Sequence, residues 1–272
     1  MERALRSEKL GEGYCLDFTV ADQMNAKNRE TMEPPKIDLS NPEAVLKELF
    51  DEDKWVKDKF VEHLSEDLLE LSKHLAAVFA VYPRLNEAAN AAATEQTAFV
   101  AGFIFGVIDD ILVSTKILLS GKMMPAGNVM RQAIEGIALA LLCSSNELMI
   151  VLGQNKKPVP IRYWEHVKRG DRLVESHKAV AQLELNRITL GVTEDSVARL
   201  KSAKKHYNQF SHPGLLGIAS RASLGTEGQV YAGGLFDVGK LDGYKVEIRE
   251  RIGLCSILPN LIDSLARRIA PR

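Results

Sequence analysis

Cysteine is too scarce and too scattered here to brace a fold or hold a metal. Cys15, Cys143 and Cys255 form no C-x-x-C pair, which argues against a disulfide framework and a cysteine-based zinc centre. An excess of either charge is missing too: 35 basic residues face 36 acidic ones, for a net charge of −1. No global field draws the chain to nucleic acid or anionic lipid, so any such binding needs a local basic patch. Residues 1–12 are charged throughout and lack the apolar core of a signal peptide. Nor does any long apolar stretch run free of charge. The windows at residues 99–119 and 133–152 are broken by Asp109, Asp110, Lys116, Glu135 and Glu147, and central carboxylates are costly in lipid. These absences predict a cytoplasmic protein with no membrane span. Alternating strands and helices are also lacking, which excludes a dinucleotide-binding fold.

What is present is helical periodicity. The 272 residues suffice for one large domain with an appendage. Residues 1–40 are weakly periodic and contain Pro34-Pro35, which predicts an extended or partly ordered arm before a single helical domain over 41–272. Ser40-Asn41-Pro42-Glu43 is a helix start. An amphipathic helix is expected from residue 53 to about 81, ended by Pro83. Two apolar helices follow at about 97–120 and 127–143, split at Gly121, and so short a connector makes them antiparallel neighbours. Further helices are expected at about 163–183, 194–207 and 242–269, the last kinked near Pro259, with a glycine-rich hairpin or covering loop near 226–240. The fold class is therefore all-α in the main, a bundle around a central antiparallel helix hairpin.

Two features of this pattern carry chemistry. The first is charge inside the apolar pair. Arg131 and Glu135 are four residues apart and share a helix face. Helix geometry sets Glu135 level with Asp110 and Arg131 near Ser114, so Asp109, Asp110, Lys116, Arg131 and Glu135 are candidates for one cross-hairpin network. It would be either a register-fixing ladder or a ligand site built on Arg131. An Arg among the carboxylates and the lack of a Glu-x-x-His argue against a metal centre. The second feature is the run Lys204-Lys205-His206-Tyr207-Asn208-Gln209-Phe210-Ser211-His212-Pro213-Gly214. Cations at a helix end and a Pro-Gly stop account for part of it. Two histidines with Tyr, Asn and Ser within seven residues also make a candidate proton-transfer site.

Arg131-Gln132-Ala133-Ile134-Glu135 and the later Tyr207-Asn208-Gln209-Phe210-Ser211-His212-Pro213 resemble bacterial helical proteins related to HEPN domains, over about residues 95–270. That resemblance implies a helical homodimer with RNA or a nucleotide as partner. In ribonucleases of the family an Arg, followed directly by a polar residue, precedes the catalytic His. Here six residues separate His212 from Lys205, which stands where the family has Arg, with the polar His206 next. Lys lacks the planar fork that clamps a phosphate.

Three readings stay open. One is a non-catalytic regulatory or interaction protein. The second is a metal-independent ribonuclease with His212 as acid or base, Lys205 for phosphate charge and Asn208 for positioning. The third is a small-ligand or nucleotide module using Arg131, Glu135, His206, Tyr207 and Ser211. No cofactor is expected in any of them.

Overall fold

The computed structural model describes residues 40–212, 214–225 and 229–271. The expected N-terminal arm, Cys15, Pro213 and residues 226–228 therefore lie outside the described residues. Helix α1, Pro42–Leu49, starts where the sequence places it: the Asn41 side chain accepts a hydrogen bond from the Glu43 amide at 2.9 Å, and Pro42 opens the first turn. None of its residues is buried.

Helix α2, Lys54–Ala92, is longer than expected because Pro83 does not end it. The apolar period continues through Val78, Leu85 and Ala89, all buried, while Pro83 itself is exposed. Packing thus holds the helix across a proline that removes one backbone bond on the solvent side. Helix α3, Glu95–Leu119, begins with a capping box between Thr94 and Thr97. Helix α4, Met123–Cys143, returns antiparallel after Gly121, whose φ of +73° suits glycine. The hairpin register is visible in Gln96 Nε2 donating to the Cys143 carbonyl (2.8 Å) and Ser114 Oγ to that of Ala126 (2.9 Å).

The last helix, here α9, Leu241–Ile269, runs through Pro259 without a break and packs along α2. Its direction is parallel to α2: Phe60 meets Tyr244, Asp67 lies near Arg249, and Arg84 bonds Asp263. A parallel return needs a long crossover, and the chain between α4 and α9 supplies it. That crossover opens with a small hairpin: β1, Met149–Leu152, pairs antiparallel with β2, Pro158–Ile161. Asn186 holds the edge of β1, accepting from the Ile150 amide and donating to its carbonyl.

The single helix expected over 163–183 is instead α5, Tyr163–Lys168, two 3-10 turns, and α6, Ala179–Leu185. Gly170, at φ +65°, breaks it. Helix α7, Glu194–Asn208, is capped by Thr193, and a short α8, Leu215–Ala219, follows. In the glycine-rich segment the described residues form one bridge, Ala222 to Val230, and the backbone of Leu235 then crosses directly over Gly121. Phe236 closes that end of the bundle against Phe60 and Tyr244. The nine helices among the described residues and one two-stranded sheet make a mainly all-α bundle around the α3–α4 hairpin.

Candidate functional site

The charges of the hairpin do not form the expected network. Arg131 turns away from α3 and puts Nε 3.0 Å from Glu135 Oε1 on its own helix. From α7, Lys204 Nζ lies 3.8 Å from the same oxygen. Glu135 is buried, so this cluster joins α4 to α7 rather than α4 to α3. Burial lowers the Lys204 pKa, with the Arg131 charge adding to it against the pull of Glu135. Asp109 and Lys116 are exposed and Asp110 is half-buried, and among the described residues none of the three forms an ion pair. Burial, with the neighbouring Asp109 charge, pushes the Asp110 carboxyl up to about 6.

The position beside Ser114 belongs to a residue the sequence reading passed over. Arg251 of α9, with no exposed side-chain surface, donates from Nη2 to Ser114 Oγ (2.6 Å) and from Nη1 to Glu247 Oε2 (2.9 Å). The other oxygen of Glu247 lies 2.8 Å from His206 Nε2 on α7. Burial alone would raise the Glu247 carboxyl, but the His206 bond and the Arg251 charge outweigh it and hold it low. The same bond raises His206 above the ordinary histidine value, against its own burial. His206–Glu247–Arg251–Ser114 is thus one chain of bonds through α7, α9 and α3. The signal was there to find: Glu247 and Arg251 share a face with buried Tyr244, Ile248, Leu254 and Leu258, in the middle of an apolar stripe.

The remaining candidates scatter, because residues 204–208 are still helix and point around it rather than into one turn. Tyr207 is buried, its hydroxyl has no hydrogen-bond partner, and burial raises its pKa. Ser211 Oγ donates to Asn128 Oδ1 on α4 at 3.0 Å. Lys205 and Asn208 are exposed and share a shallow pocket of about 190 Å³ with Lys201 and Lys204. His212 is exposed, does not line that pocket, and has no hydrogen bond or ion pair among the described residues. No group of His, Cys, Asp or Glu with the make-up of a metal site occurs among the described residues.

A larger concavity lies elsewhere, in a cleft of about 710 Å³ between α4, α7 and α9. Met130, Ile134, Ile137 and Leu141 of α4 form its floor, with Leu200 and Tyr207 on one wall and Leu254 and Leu261 on the other. Neither Arg131 nor His212 reaches it. Three arginines edge it, and each is engaged: Arg199 with Asp195 (3.0 Å), Arg249 near Asp67 (3.9 Å), and Arg268 with the Leu190 carbonyl (2.8 Å) and Ser144 Oγ (3.1 Å). The cleft is thus apolar inside, with its cations already occupied. Among the described residues α3 alone is long and apolar enough to cross a membrane, and it packs against α4 and α2. No family model matches the chain, and no similar curated protein or solved structure is found.

Proposed function

We propose that this chain is a non-catalytic, HEPN-like interaction or regulatory protein of the cytoplasm. One observation carries the reading: His206, one of the two histidines of the run, is committed through Nε2 to Glu247 in a structural bond chain. Its Nε2 lies 2.8 Å from a buried carboxylate that Arg251 also binds, so the ring forms part of the polar packing between α7 and α9. Ser211 is likewise committed, to Asn128. Of the proposed ribonuclease groups, Lys205, Asn208 and His212 are all exposed, and among the described residues no hydrogen bond or ion pair joins His212 to the other two. Cleavage of a mixed single-stranded RNA pool, with EDTA present, tests this. Neither the wild type nor His212→Ala should cleave; cleavage by the wild type that disappears in His212→Ala would establish the ribonuclease instead.

The cleft favours a second reading, a module for a small and largely apolar ligand. Its buried floor and engaged arginines suit an aliphatic or aromatic body better than a nucleotide phosphate. Native mass spectrometry of the purified chain should then show a co-purified small molecule, released on denaturation. A mass equal to the bare chain, unchanged on addition of long-chain amphiphiles, would remove this reading.

A further inference from the structure

Helix α3 turns an apolar face outward. Gly102, Phe105, Asp109 and Lys116, all exposed, lie with half-buried Leu112 and Val113 on one arc of about 100° on a wheel of 3.6 residues per turn. Phe105 is 54% exposed, and among the described residues no other element lies within 4 Å of where a side chain at Gly102 or Gly106 would begin. The outward face of a bundle helix is ordinarily polar. On this one, Phe105 is a large apolar side chain left mostly in the open. Asp109 and Lys116 interrupt the face, about two turns or 10 Å apart on nearly one line. Neither has an ion pair among the described residues.

We propose that this face binds a second copy of the chain, α3 against α3, antiparallel across a two-fold axis. Centred between Leu112 and Val113, that arrangement sets Asp109 opposite Lys116 of the second copy, and Lys116 opposite its Asp109. One surface thereby supplies both halves of two equivalent ion pairs, as an isologous contact requires. A parallel arrangement would stack Asp109 on Asp109 of the second copy, a like-charge contact that disfavours it. A lipid surface would have to take up the carboxylates of Asp109 and Asp110, which is costly. The strip alone measures about 22 Å by 10 Å, little more than a quarter of the roughly 800 Å² that a stable interface buries per partner. Helix α2 extends it: Tyr82 meets Phe105 with ring centroids 5.7 Å apart, and Phe79, 46% exposed, lies one turn away. A two-fold axis across the helices brings this flank against its own copy. The inference rests on α3 and α2 and stands whichever ligand or partner the rest of the chain serves.

Sedimentation velocity of the full chain at micromolar concentrations tests it. The wild type should be a dimer. Asp109→Lys alone and Lys116→Asp alone each create two like-charge contacts and should weaken association about a hundredfold. The double variant Asp109→Lys/Lys116→Asp re-forms both pairs in reverse and should dimerise again. Both positions are exposed, so far-ultraviolet circular dichroism should be unchanged in all three variants. A monomeric wild type, single variants that remain dimeric, or a double variant that stays monomeric would each overturn the proposal. A monomer that floats with anionic vesicles would assign the face to lipid.

Discussion

Arg251 sets the terms at the residue scale. A guanidinium with no exposed surface is tolerated only because Glu247 neutralises it and Ser114 accepts a further bond, and its Nε still has no partner. Glu247 can serve His206 as well because a carboxylate has two oxygens, one for each cation. The His206 contribution depends on pH in a definite direction. The folded-state pKa of His206 lies above its ordinary 6.5, so its stabilisation is complete below 6.5 and is lost as pH rises through the raised value. His206→Gln should therefore lower Tm most in mildly acid solution and converge on the wild type in alkali. The ring is about a third exposed, so after screening the effect is about 1 kcal/mol, or roughly 2–4 °C. Tm measured for both proteins across pH 5 to 9, at about unit intervals, checks it. A difference that stays constant across the range would mean that the imidazolium charge plays no part.

At the element scale, the sequence was readable wherever a local rule and the apolar period agreed. Asn41-Pro42 and Thr193 mark real helix starts, and the α3–α4 hairpin turns at Gly121. Pro83 misled because its local rule conflicts with packing. The stripe Val78, Leu85, Ala89 was the better guide, since burial of one face outweighs a backbone bond lost towards water. The split of 163–183 into α5, two turns and α6 was harder to see, because Trp164 and Val167, and then Val180 and Leu183, each keep a helical i, i+3 spacing on their own side of Gly170. The site was legible only in part. Arg131–Glu135 is a same-helix pair and followed from its spacing alone. Its third member, Lys204, comes from a helix far along the chain, and so does the partner of His206. That Lys204 of α7 comes to Glu135 is settled by the fold, and no spacing within α4 encodes it.

Across the whole molecule, the cleft exists because its two walls rest on different supports. Helix α9 is laid along α2, whereas α7 packs on α4 and α6. The walls are tied at two places: His206 to Glu247 near one end, and Arg268 to the Leu190 carbonyl just before α7. Their grip on the core is unequal. Helix α4 buries fourteen of its 21 residues, while α7 buries only Val197, Leu200 and Tyr207 of its 15. An element with so little buried surface should open locally long before the bundle unfolds. Native-state hydrogen exchange should then show the α7 amides exchanging well ahead of those in α4. Cutting both ties with His206→Gln/Arg268→Gln removes two charge-assisted bonds and should speed exchange in α7 by at least about tenfold. The α4 amides, held by the hairpin with α3, should keep their protection. Faster exchange in both helices together would mean that α7 opens only with the whole core, and that the wall of the cleft has no freedom of its own to admit a ligand.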